Sequence, residues 1–382
     1  MLADQAHLAA VADRDFIEDL SAALNWWAAQ HTWRVSSSHT GGGVIAAFES
    51  AVASHIGPGA HALALPSATA ALRTALEIAG VGRGDKVGVP ALDWTAASAV
   101  VRALGARAVP LPADPDTGLL DVAQSIREDS TRDLAAVILV HLHGLTGDAP
   151  ALRRARPQLF IVEDAAQAWG ARYPDGRPVG SAADACAFSF GAAKSPSAGE
   201  LGCLVTGSAA RYRHAVARTQ HPTRQLLAGI GSPCDDRLMT RAAPAAALLG
   251  AFAIQRHAAL TPALRRAAQQ MVVSLREAGL TVLTDPTRHA PGVVAVRASP
   301  AEVRPLLFSE RLPGGLAIDS VDKADVRLYP GCEDKAARAI QEEGITVVTI
   351  AASRDQCGSA MERRIAGTTA ARDPVTRREE GS

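Results

Sequence analysis

Neither charge sign is in surplus. Lys plus Arg and Asp plus Glu both number 39, so no global field favours nucleic acid or an anionic membrane, and a small-molecule substrate is the default expectation. Cysteine is scarce: the five present (Cys186, Cys203, Cys234, Cys332, Cys357) are odd in number and show neither CxxC pairs nor zinc-ligand spacing. That excludes a disulfide framework, gives no reason to expect a metal, and predicts reduced thiols in a cytoplasmic protein. Long apolar runs are missing too. The longest, Ala243 to Ile254, contains a proline and falls far short of the about 20 residues that span a bilayer. The N-terminal residues carry Asp4, Asp13, Asp15, Glu18 and Asp19 and do not read as a secretion signal. There is no internal repeat. What the chain does have is apolar bulk: 382 residues, 48% of them hydrophobic, are enough for a large core and a division into a major and a minor domain.

From about Gly43 to Thr206 short apolar runs alternate with helix-like segments, the pattern of a mostly parallel α/β sheet with helices on both faces. Lys86–Pro90, Ala108–Leu111, Ala135–His141, Leu159–Val162, Ala185–Phe190 and Cys203–Thr206 are nearly continuously apolar, as doubly covered strands should be. Ala70–Ile78, Thr95–Leu104 and Ala149–Arg156 have the apolar spacing of crossover helices. After Val205 comes a long Ala/Leu/Arg-rich helix, Pro244 to Glu277, and then short mixed elements to Ile350. The expected organisation is an N-terminal helical segment (1–42), a large domain (43–240), a long helix with a smaller C-terminal α/β domain (241–352), and a disordered tail (353–382).

Four positions draw attention as chemistry. Lys194 follows a buried strand and precedes a small-residue loop, Ser195-Pro196-Ser197-Ala198-Gly199. It is either a solvated surface charge or an amine able to form an imine with an aldehyde. Asp164 ends an apolar run, where open α/β sheets bind ligands, but an Asp before an Ala-rich stretch is equally a helix cap. Ser67-Ala68-Thr69 opens a helix after the apolar stretch Ala62–Leu65, which suits a phosphate or an ordinary Ser cap. Trp94 is a core aromatic or an indole stacked on a planar ring.

Order and spacing together resemble the DegT/DnrJ/EryC1/StrS family of pyridoxal 5'-phosphate (PLP) dependent aminotransferases. The likeness runs over roughly Gly43 to Thr206: SATAAL (Ser67–Leu72), VGRGDKVGVPALDWTAAS (Val81–Ser98), DPDTGLLD (Asp114–Asp121), VHLHG (Val140–Gly144), VEDAAQAWGA (Val162–Ala171) and FSFGAAK with GELG (Phe188–Gly202). The resemblance implies a fold-type I transferase with a seven-stranded sheet and a shortened C-terminal α/β domain. It also implies PLP held as a Schiff base on Lys194, Asp164 paired with the pyridine nitrogen, and Gln167 bonded to the ring hydroxyl. Ala68, Thr69 and Ser189 would hold the phosphate, and Trp94 would stack on the ring.

The second half departs from the family. His221 matches the histidine of an RNHG-like segment, and Arg237-Leu238-Met239-Thr240 loosely echoes an NYRMSE-like one, but the family's C-terminal loop with its tyrosine-proline pair and histidine is not identified. His143 stands where the family carries Tyr or Phe: a titratable group near the site, or a buried and satisfied histidine. The phosphate cradle as read offers donors but no cation, and the resemblance to fold-type I enzymes implies a homodimer with the site at its two-fold interface, a basic residue of the Arg218–Arg241 region, Arg237 the candidate, reaching the neighbouring cofactor. The expected function is transfer of an amino group from an amino acid, glutamate or glutamine, to a keto group of a sugar or cyclitol-like acceptor. The alternatives are other PLP chemistry on a small biosynthetic precursor, or a non-catalytic partner protein.

Overall fold

The computed structural model describes residues 19–29, 39–234, 239–307, 316–324, 326–330 and 332–352. The tail reading at 353–382 and the candidate Arg237 fall outside them. A first helix, α1, covers residues 19–28. The large sheet then grows from α2 (Val44–Ile56), β1 (His61–Leu65), α3 (Ala68–Ile78), β2 (Lys86–Pro90), β3 (Leu92–Asp93), α4 (Ala96–Ala103), β4 (Arg107–Leu111), α5 (Val122–Arg127), β5 (Ala136–Val140), α6 (Ala149–Ala155), β6 (Phe160–Asp164), β7 (Ala185–Ser189) and β8 (Gly202–Thr206). Its seven strands lie in the order β1-β8-β7-β6-β5-β2-β4. Neighbours from β7 to β4 pair in parallel, and β8 alone runs against the rest. The connection 190–201 contains no helix, so β8 returns antiparallel instead of crossing over. Lys194 sits in that return.

Alternation along the strands explains the continuous apolar runs. Val137, Leu139 and Ile161 join the core on one face with α2, α6 and the first half of the long helix Pro244–Glu277, while Ile138, Val140 and Val162 join the core on the other with α3, α4 and the helix Ala209–Thr219. Beyond the sheet follow α7 (Ala209–Thr219), α8 (Pro222–Leu227) and α9 (Pro244–Glu277). Then come β9 (Thr281–Val282), β10 (Val293–Arg297), α10 (Pro300–Leu307), β11 (Leu316–Lys323), β12 (Arg327–Leu328), α11 (Lys335–Glu343) and β13 (Thr346–Ala352). Strands β9, β10, β11 and β13 form a four-stranded antiparallel sheet packed on the distal half of α9 through Leu264, Met271 and Leu275. Strand β12 leaves it to pair with β3 beside the large sheet. Cys186, Cys203 and Cys332 are buried thiols, and no helix among the described residues is long and apolar enough to cross a membrane.

Candidate active site

One edge of the large sheet collects the residues singled out from sequence, because β1, β7, β6, β5 and β2 all end there and β8 begins there. Asp164 is the last residue of β6 and is 7% exposed. It does not cap a helix: residues 165–170 form turns, and its Oδ1 accepts the Ala166 N–H at 3.0 Å. The helical alternative read from the Ala-rich stretch is therefore corrected. Arg265 of α9 donates to the Gly170 carbonyl at 2.9 Å, and Gly170 adopts φ 76, which ties the segment down in a non-helical path.

Lys194 is half-buried and near enough to Asp164 for each to alter the other's proton affinity. Burial lowers the lysine below its usual range, opposed by Asp164, and burial raises Asp164, opposed by the Ala166 N–H and then Lys194. A lysine that loses its proton readily beside a buried acid is the arrangement that imine chemistry requires. Trp94, just past β3, is 46% exposed and so is no core aromatic. Gln167 accepts the His143 N–H on Oε1 at 2.6 Å, which leaves its carboxamide nitrogen as the donor end. His143 is 3% exposed, with φ 56, and its Nε2 meets no hydrogen-bond partner among the described residues. Burial lowers its pKa to about 4, so it is a neutral, buried but unsatisfied histidine.

Ser67 caps α3, its Oγ accepting the Ala70 N–H at 3.2 Å. The cap and the cradle readings coexist, since the Ala68 and Thr69 N–H groups still point out of the helix end. Ser189 is brought to the same place by register: it pairs with Gly202, which on its other side pairs with Leu65, two residues before the cap. A Cβ on Gly202 would lie 2.1 Å from the Ser67 carbonyl carbon and 2.5 Å from the Ala68 nitrogen. The approach is possible only for glycine. His221 lies elsewhere as the cap of α8, its Nδ1 accepting the Thr223 N–H.

Three residues at this edge were not picked out from sequence. Asp93, beside Trp94, has its carboxyl pushed well above the usual range, first by burial and then by the neighbouring Asp164. Arg327 and Tyr329, from β12 and just beyond, line a pocket with Asp93, Trp94, Thr95 and Ser98. Tyr329-Pro330 is a tyrosine-proline pair at the site that the sequence reading did not place, because a two-residue strand leaves no periodicity to detect.

The donor set fits PLP: a buried acid for a ring nitrogen, an amide for a hydroxyl, an exposed indole for a ring face, a helix end with a hydroxyl for a phosphate, and an amine for an aldehyde. Sheet, edge and lysine-bearing return together define the fold-type I architecture. Comparison with known proteins agrees. The profile of the DegT/DnrJ/EryC1/StrS aminotransferase family matches residues 27–228. L-Glutamine:2-deoxy-scyllo-inosose aminotransferase of Micromonospora echinospora is 40% identical over 157 residues, 41% of this chain and 37% of that protein. The 3-amino-5-hydroxybenzoate synthase of Amycolatopsis mediterranei is 35% identical over 207 residues, 54% of this chain and 50% of that one. The matched part thus takes in half or less of these relatives' own lengths. A DegT/DnrJ/EryC1/StrS aminotransferase structure from Brucella abortus superposes with a TM-score of 0.66, covering 95% of this chain and 97% of that one at 22% identity. This chain belongs to the DegT/DnrJ/EryC1/StrS aminotransferase family.

Proposed function

We propose that the protein is a PLP-dependent aminotransferase that moves an amino group from glutamine or glutamate to a keto group of a sugar or cyclitol-like acceptor in a biosynthetic pathway. The observation that carries this is the convergence of Asp164, Lys194, Trp94, Ser189 and the α3 N-terminus on one sheet edge. When bound, the cofactor supplies an aldehyde for amine capture and a ring that accepts electrons. Asp164 holds the pyridine nitrogen protonated, Gln167 donates to the ring hydroxyl, Trp94 covers a ring face, and Ser189 with the Ala68 and Thr69 N–H groups binds the phosphate. Lys194 would hold the cofactor and, once displaced by the donor amine, would take the proton from the donor's α-carbon and deliver it to the carbon that had carried the aldehyde, a task suited to an amine whose pKa burial has lowered. The acceptor class is supported by the inosose aminotransferases among the relatives. The enzyme is proposed to act as a cytoplasmic homodimer.

The test is a pair of half-reactions on PLP-loaded protein. Glutamine alone should remove the visible cofactor band without releasing a rearranged carbon skeleton, and a keto-cyclitol added next should restore the band and appear as the amine. Release of ammonia and a dehydrated product with the band intact would instead establish elimination chemistry.

A further inference from the structure

The C-terminal part of the chain reaches the rim of the cleft through β12. Arg327 pairs in register with Asp93, and Leu328 with Leu92. The next residue pins the pairing to the large sheet: the Tyr329 N–H donates to the Ala91 carbonyl at 2.8 Å, and its hydroxyl to the Ala108 carbonyl at 3.3 Å. This places the Arg327 guanidinium over the Trp94 indole, 5.6 Å from the ring centroid. Both line a small pocket that is partly open to solvent. Arg327 is the one basic side chain on that wall among the described residues.

We infer that Arg327 binds the α-carboxylate of the amino donor, with Trp94 as the platform that orients it. This rests on the aminotransferase reading. A ping-pong enzyme seats two different molecules in one cleft, and here one is a zwitterionic amino acid whereas a cyclitol ketone carries no charge. Two carboxyl groups, Asp93 and Asp164, already stand close together at this edge, so an incoming carboxylate needs a cation beside it. A guanidinium meets carboxylates along its planar edge, in paired N–H bonds, and meets an indole with its face, so the two contacts are compatible. The pinning by Tyr329 makes the placement a property of the backbone.

The experiment compares binding without turnover. PLP-loaded wild type, Arg327→Gln and Arg327→Lys are titrated calorimetrically with 2-methylglutamine, which has no α-proton, and with 4-amino-4-methylpentanamide, in which a methyl replaces the carboxylate. The glutamine variant should bind 2-methylglutamine at least about tenfold more weakly and the methyl analogue as wild type does, because a charge-assisted contact is lost for one ligand only. The lysine variant should fall between, and it carries the test alone if the glutamine variant does not fold. Unchanged affinity for 2-methylglutamine would overturn the assignment, as would equal weakening of both ligands, which would make Arg327 a support for Trp94. A wild type that takes up no PLP would overturn the aminotransferase reading and this assignment together, whereas the preceding outcomes leave that reading standing.

Discussion

Asp164 and Lys194 are opposed charges that burial would rather neutralise, and a bound pyridinium resolves the conflict by giving the acid a partner. Asp164→Asn should therefore still take up PLP but turn over at least about 100-fold more slowly, because the lost interaction matters most when charge develops in the ring. Steady-state rates with cofactor occupancy measured in parallel check this, and wild-type turnover would reduce Asp164 to a turn residue. His143 predicts a pH effect on stability. Its pKa of about 4 in the fold lies below its usual 6.5, so between those values the unfolded chain binds a proton that the folded chain refuses. Stability is full above pH 6.5 and falls on acidification through that window, by about 3 kcal/mol from this residue at the limit. Asp93 works in the opposite sense, because a raised carboxyl pKa contributes stability that is lost as pH rises. The comparison must therefore be differential. The urea midpoint should drop less from pH 7 to pH 5 in His143→Phe than in wild type, and equal drops would contradict the assignment. The placement of Lys194, Asp164 and Trp94 at or just beyond strand ends was legible in the sequence because each follows a short apolar run that had to be a strand. Asp93 was not, since one more acid before a tryptophan carries no pattern of its own.

At the scale of elements, the α3 cradle depends on how close β8 can come. Gly202→Ala inserts a Cβ 2.1 Å from backbone that cannot yield without moving the helix cap. The expected cost is about 1–3 kcal/mol or more, together with weaker PLP uptake, because Ser189 is paired to that same residue. Chemical denaturation and PLP titration of the variant measure the two effects, and a variant as stable and as tightly loaded as wild type would show that strand and helix can separate freely. Long elements were readable: α9 has the bounds its composition predicts, and the central strands fall within a residue or two of their apolar runs. The readings that failed are local. Ala165–Ala171 has the composition of a helix but is held in turns by contacts from α9 and from the Arg288 carbonyl, to which the Arg172 N–H donates at 2.7 Å. The two-residue strands β3 and β12 exist only because distant segments meet, so local sequence could not announce them.

The whole molecule is proposed to work as a homodimer whose second subunit completes the phosphate site. Leu226 and Leu227 of α8 are 58% and 70% exposed, adjacent apolar side chains inside the Arg218–Arg241 stretch expected to face a partner. Sedimentation across dilution should give a dimer for the PLP-loaded protein, and Leu227→Asp should shift it toward monomer. A monomer with full activity would show that no partner subunit is needed at the phosphate site. The sequence announced the sheet, the edge and the lysine. It could not announce how the C-terminal part reaches the cleft, because that depends on one pairing between residues far apart in the chain, Asp93 and Arg327. The central claim is that this edge holds PLP covalently on Lys194, and the most direct measurement is borohydride reduction of the PLP-loaded protein followed by mass mapping of its peptides. The expected result is a visible band that reduction abolishes and a phosphopyridoxyl adduct on Lys194 alone, absent from Lys194→Ala. No adduct, or one scattered over surface lysines and unchanged in Lys194→Ala, would contradict it.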